Sequence, residues 1–175
     1  MLKGFTHARL ACGCRISFRD GVEGSPVTVV IGGGPAGIAA ALEAAASGDQ
    51  VRLFEAATEL GGQLRIAGKA PAHRELWAKY SAWIAAELDR LGVEVRLGSP
   101  ATAEDCADAD RVILATGALP YRPDPMSTDL TLISAWDAIE APELVSGPVL
   151  VADWGGGWDG LDAAGHEEVA ILAYA

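Results

Sequence analysis

The sequence predicts an α/β fold in three layers, with a parallel β-sheet between helices. Three observations predict it. Short apolar runs rich in Val, Ile and Leu recur at 27–31, 51–54, 93–97, 111–115, 149–152 and 169–173. Stretches with helical spacing lie between several of them, as βαβ units require. Glycines mark the change from one period to the other, most densely at Gly32-Gly33-Gly34.

Each element has its own signature. Residues 1–25 lack a clear period and end in the turn-rich run Asp20–Pro26, which reads as an arm or the remnant of a linker. Val27-Thr28-Val29-Val30-Ile31 is short, β-branched and almost wholly apolar, the pattern of a strand buried on both faces of a parallel sheet. Pro35 opens an Ala-rich helix that runs to about Ser47, with Gly48 as its stop. Val51–Glu55 is the second strand, followed by a loop holding Gly61-Gly62. From His73 to Leu91 the apolar residues Leu76, Tyr80, Ile84, Leu88 and Leu91 step by fours and a three, one face of an amphipathic helix. Val93–Leu97 alternates like a half-buried strand, and Arg111–Ala115 reads as a further buried one that runs into Thr116-Gly117. Residues 118–146 form a connector with a short helix at Ser134–Ile139. Val149–Ala152 then starts a second strand–glycine–helix pattern, and Val169–Ala173 is the last expected strand.

Composition narrows the function. The 175 residues are 50% hydrophobic, enough for one ordinary domain with a real core. The formal charge of −11 is uneven: beyond Arg122 there are ten acids and no Lys or Arg. Such a surface repels phosphate backbones and anionic lipid, so neither nucleic acid nor a membrane surface is an expected partner. The apolar window from Val27 to Gly48 contains glycines, Pro35 and Glu43 and changes period midway, so it reads as a βα unit rather than a membrane span. The start of the chain has no apolar signal region, and a cytoplasmic location is expected. Cys12, Cys14 and Cys106 are too few for a disulfide framework or a four-cysteine cluster, and His7, His73 and His166 have no ligand spacing, so no metal is expected.

One motif carries chemistry. Gly32-Gly33-Gly34-Pro35-Ala36-Gly37 fits G-x-G-x-x-G, follows a buried strand and opens a helix. In that context Gly32 permits a tight turn, Gly34 lets a pyrophosphate approach the backbone, and Gly37 lets helix and strand pack closely. The N–H groups and dipole at the helix start then hold phosphate without Lys or Arg. Glu55 ends the second strand, where an acid reaches both hydroxyls of a ribose. A glycine-rich turn with a solvated Glu is the bland alternative, but the concordant features favour a Rossmann-like dinucleotide-binding domain.

With its other motifs in view, the chain resembles the NADH:flavin oxidoreductases of the 2,4-dienoyl-CoA reductase and trimethylamine dehydrogenase group. The likeness rests on GGGPAG at 32–37, FEAATELGGQLRIAGKAP at 54–71, ELDRLGVEVRLG at 87–98 and VILATGALP at 112–120, and covers roughly residues 26–160. It implies that Gly32, Gly34, Pro35, Ala36 and Gly37 bind the ADP part of FAD and that Glu55 holds the ribose. Gly62 and Gln63 would lie along the pyrophosphate and ribityl chain, and Thr116 and Gly117 would form the turn out of the FAD domain. Some relatives hold only an adenine nucleotide in this pocket, so FAD and its ADP part alone both stay open.

The second module departs from that pattern. Gly155, Gly157 and Gly160 repeat G-x-G-x-x-G where the resemblance places NAD(P)H, yet the following helix is short and Trp154 and Trp158 flank the glycines. A nicotinamide site and a βα remnant that binds nothing are both open. The lack of cations beyond Arg122 favours NADH over NADPH if the tail binds either. The family's upstream barrel and its closing segment near the flavin are not recognised in these 175 residues. The expected organisation is an arm or linker over 1–25, an FAD-type domain over 26–122, a connector over 123–147, and an incomplete NAD-type βαβ unit over 148–175. Its expected function is hydride transfer between nicotinamide and flavin. The alternative is a non-catalytic adenine-dinucleotide-binding piece that needs a partner chain or a barrel domain. No residue is recognisable as a proton donor or nucleophile.

Overall fold

A computed structural model describes residues 5–9, 15–19, 24–120, 133–146, 149–153 and 170–173. The chain divides into two compact units, one of residues Met1–Leu64 with Lys79–Gly117 and the other of Arg65–Ala78 with Ala118–Ala175.

The first unit is built on a six-stranded sheet. Its strands are β1 (Phe5–Arg9), β2 (Arg15–Arg19), β3 (Val27–Ile31), β4 (Gln50–Phe54), β5 (Glu94–Arg96) and β6 (Arg111–Leu114), in spatial order β1-β2-β6-β3-β4-β5. The four strands β6, β3, β4 and β5 are parallel. They form the α/β Rossmann-like sheet expected from the sequence. At its middle β3 pairs Val30 with Leu53 on one side and Ile113 on the other. With Thr28, Val29 and Val30 fully buried, the apolar run behaves as read.

Residues 1–25 differ from the expected aperiodic arm. Here β1 and β2 pair antiparallel with each other, and β2 pairs antiparallel with β6, with Arg15 opposite Leu114. A five-residue strand on the margin of a sheet gets its conformation from its neighbours' ladder bonds more than from its own period. In β6 only Ile113 is buried, and Leu114 is 39% exposed, so this strand is less covered than its apolar run suggests.

Helix α1 (Pro35–Ala46) covers one face of the sheet. Its Ile38 and Ala41 pack with Val30, Val51, Leu53 and Ile113, joined by Ile84 and Leu88 of helix α3 (Arg74–Arg90). The expected stripe of α3 is thus buried in its carboxyl-terminal half, while Leu76 near its start is 69% exposed. On the other face Val29, Phe54 and Ala109 form a smaller cluster. Between Gly62 and α3 lies α2 (Gln63–Ala67), a five-residue helix where the sequence suggested only a loop.

A polar knot fixes the amino ends of the parallel strands. The Thr28 hydroxyl donates to Asp49 Oδ2 at 2.5 Å, and the Arg111 guanidinium donates to the same oxygen at 2.8 Å. Asp110 accepts from the Val27 N–H at 2.9 Å. Three strands are thereby held level at the end away from the glycine turn, which sets the opposite, carboxyl ends in register.

In the second unit, β7 (Leu150–Asp153) and β8 (Ala170–Ala173) pair in parallel, as their apolar runs suggested. Helix α4 (Ala135–Glu140) is capped by Ser134, whose hydroxyl oxygen accepts from the Asp137 N–H. A short 3-10 turn at Pro142–Leu144 follows it.

Candidate functional site

The carboxyl ends of β3, β4 and β6 meet at the glycine turn, the position where open α/β sheets bind ligands. Gly32 leaves β3 with φ of +110°, and any side chain on it would run into the Ala115 carbonyl at the end of β6. Gly37, one turn into α1, lies so close to the Gly32 carbonyl that a β-carbon there would overlap it. These two contacts press α1 onto the β3–β6 pair and aim its first turn at the sheet's end. Both tight approaches fall on the first and last glycines of the motif, as the sequence argument required.

The start of α1 is left open. Gly34 is its N-cap and provides no side chain to bond the first N–H groups, Pro35 at the first position has no N–H, and no acid stands in the first turn. The first internal bond runs from the Ile38 N–H to the Gly34 carbonyl at 2.9 Å. The N–H groups of Ala36 and Gly37 are therefore orphan donors at the positive end of a 12-residue helix.

Glu55, immediately after β4, is held rather than solvated. One carboxylate oxygen accepts from the Gly33 N–H at 2.6 Å and the other from the Ala57 N–H at 2.8 Å. Its backbone N–H donates to Arg96 of β5 at 2.9 Å, and its carbonyl accepts from Ser99 at the same distance. A carboxylate offers about four acceptor positions. Two are used here, leaving others for donors arriving from outside. The loop after Glu55 then folds back: the Gly61 N–H donates to the Gly33 carbonyl at 2.8 Å. A side chain on Gly62 would press within 3.0 Å of the Gly34 Cα.

The geometry thus gathers Gly32, Gly34, Pro35, Ala36, Gly37, Glu55 and Gly62 in one neighbourhood. Gln63 opens α2 directly after Gly62, and Thr116 and Gly117 are exposed just beyond Ala115, whose N–H extends the β6–β3 ladder to Ile31 at 2.8 Å. Gly155, Gly157 and Gly160 lie outside the described residues. Gly33 is the residue the sequence argument passed over: it fills a free position of the motif, yet its N–H anchors Glu55 and its carbonyl anchors Gly61. The triple glycine was the only available sign of it.

Among the described residues no group of His, Cys, Asp and Glu is placed to hold a metal ion. Cys106 is half-buried, and burial, with Asp105 close by, pushes its thiol above the usual range, which leaves it a poor nucleophile. No described helix is long and apolar enough to cross a membrane.

Comparisons with known proteins agree with this geometry. The family model described as pyridine nucleotide-disulphide oxidoreductase matches residues 27–170. The chain is 39% identical to an NADH oxidase of Thermoanaerobacter brockii across 91% of its own length and 26% of that protein's. It is 40% identical to an N,N-dimethylglycine/sarcosine dehydrogenase of Chromohalobacter salexigens, across 71% of this chain and 19% of the other. A solved 2-naphthoyl-CoA reductase superposes with a TM-score of 0.71 at 26% identity, over 85% of this chain and 23% of that one. The chain therefore spans about a fifth to a quarter of the length of these relatives. With strand order, glycine turn and family model in agreement, the chain belongs to the pyridine nucleotide-disulphide oxidoreductase family, as an FAD/NAD-binding Rossmann-type redox domain.

Proposed function

We propose that this chain is the FAD-binding module of an NADH-dependent flavin oxidoreductase, in which hydride passes between nicotinamide and flavin. One observation carries the reading: the uncapped start of α1 and the anchored Glu55 carboxylate share the carboxyl edge of the parallel sheet. The residues fit the group. The Ala36 and Gly37 N–H groups would hold the pyrophosphate, Gly34 would let it approach, and Glu55 would accept from the ribose hydroxyls. Gly62 and Gln63 would line the pyrophosphate and ribityl chain, and Thr116-Gly117 would carry the chain away from the cofactor. FAD, when bound, supplies the two-electron acceptor. The chain's own residues bind and orient it, and the redox step belongs to the cofactor.

Gly155, Gly157 and Gly160 are the proposed nicotinamide site, with NADH favoured because no Lys or Arg stands among residues 123–175 to meet a 2′-phosphate. A barrel domain or partner chain would choose the substrate, and a cytoplasmic location is proposed. A second reading, a non-catalytic adenine-dinucleotide-binding module, draws support from the described site itself, which offers backbone N–H donors and one anchored carboxylate to hold a nucleotide.

The purified chain separates the two. A yellow protein whose visible absorbance bleaches when NADH is added without oxygen supports the flavin oxidoreductase. A colourless protein that binds ADP supports the module. Binding of neither FAD nor ADP sinks both.

A further inference from the structure

The second unit contains a cavity that the dinucleotide reading does not use. It measures about 440 Å³, is open to solvent, and is lined by Gly68, Lys69, Arg74, Trp77, Ile139, Glu140 and Pro142. Its volume is in the lower part of the range that holds small ligands. The indole of Trp77 packs directly on Gly68, so closely that a β-carbon on Gly68 would overlap it. With buried Ile139 and half-buried Pro142 also in its lining, the cavity offers an aromatic and apolar wall.

Three of its described lining residues, Lys69, Arg74 and Glu140, carry charge. Glu140 is the one acid among the described lining residues, and it is already satisfied. The Arg65 guanidinium donates to its Oε1 at 2.6 Å, and Lys69 Nζ approaches the same oxygen at 3.4 Å. Burial alone would raise the Glu140 carboxyl, but these two cations outweigh it and hold the group below its usual range. Arg74 is exposed and makes no ion pair among the described residues. Among the described lining residues the cations Lys69 and Arg74 thus outnumber the single acid.

We propose that this cavity binds a small aromatic carboxylate. The ring would lie against Trp77, Ile139 and Pro142. The carboxylate would meet the Arg74 guanidinium, whose planar fork matches two oxygens, with Lys69 beside it. The apolar part of the lining argues against a bare inorganic anion, which would leave Trp77, Ile139 and Pro142 unused.

Benzoate is the probe, titrated into the full chain while the indole N–H signal of Trp77 is followed by NMR and assigned by its loss in Trp77→Phe. A saturable shift is expected, with benzamide, the same ring without the charge, binding about tenfold more weakly. Arg74→Gln, an exposed substitution, should lower benzoate affinity by about tenfold and leave ADP affinity unchanged. The site is overturned by no saturable shift at Trp77, by equal binding of benzoate and benzamide, or by unaltered benzoate affinity in Arg74→Gln. An equal loss of ADP and benzoate affinity in that variant also counts against it, since the effect would then not be local.

Discussion

Glu55 shows how one side chain takes its role from two backbone N–H groups. Held by Gly33 and Ala57, it stands at the turn as a fixed acceptor. In Glu55→Gln one of those N–H groups faces an amide donor, and the charge is gone. ADP affinity should fall by about 1.5–3 kcal/mol, the range for hydrogen bonds to a charged group. Affinity for 2′,3′-dideoxy-ADP, measured by calorimetry, should stay as it is, because that ligand has no hydroxyl to offer. An equal loss for both ligands would place Glu55 away from the ribose. Gly32 carries a different burden, a left-handed backbone and a carbonyl where a side chain would go. Gly32→Ala should cost roughly 3 kcal/mol from strain and overlap together. Gly48→Ala, with φ of +95° and open space around it, should cost only about 1–2 kcal/mol from strain. Urea midpoints of the two variants test the difference, which vanishes if the Ala115 contact is soft. At this scale the motif glycines and Glu55 were legible, because each sits at a fixed offset from a strand. The Gly33–Glu55 bond was not, since it joins positions 22 residues apart through a residue the motif leaves free.

Elements of the parallel sheet gave themselves away by apolar runs long enough to show a period. The start of β3, the proline start of α1 and the stripe of α3 were readable for that reason. The short helix α2 has too few residues for any period to develop, and marginal helices of that length owe their form to tertiary context. Strands β1 and β2 likewise depend on the ladder of β6. What locks β3, β4 and β6 together is the knot at their amino ends, where the Asp49 side chain is 3% exposed and Arg111 37%. Arg111→Met should leave that carboxylate with Thr28 as its side-chain donor at a cost of about 2–3 kcal/mol, less than the ~3–5 for a wholly buried pair because Arg111 is partly solvated. An unchanged urea midpoint would mean that the pair is neutral in net effect. The tie from α2 to α4 has its own pH window. Glu140 has a lowered carboxyl in the folded chain, so its contribution is fully present above its ordinary value of about 4.5 and is lost as pH falls through the depressed one. Acid titration should release Arg65 from Glu140 below the ordinary range, and Glu140→Gln should flatten that part of the stability profile. A profile with the same acid limb in both proteins would assign the loss to other carboxyls, such as Asp105 and Asp108, which are also held low.

Across the whole molecule, charge and chemistry separate. The net charge of −11 comes almost wholly from residues after Arg122, while the glycine turn sits in the nearly balanced part. In the proposed reading an anionic cofactor would be met there by the backbone donors at the start of α1, a design that composition alone could not reveal. The family was legible from motifs in order. The second glycine set, outside the described residues, stays a proposal resting on sequence. Because Glu55 is already bonded to Gly33 and Ala57 before any ligand arrives, no rearrangement of that side chain should precede capture. Association of ADP in a stopped-flow experiment should be a single step, its observed rate rising linearly with concentration, within the ~10⁵–10⁷ M⁻¹s⁻¹ common for unsteered encounters or faster. A rate that levels off would reveal a slow opening of the turn. If the line stays straight, differences in affinity among nucleotides at this turn will be set by how long each one stays.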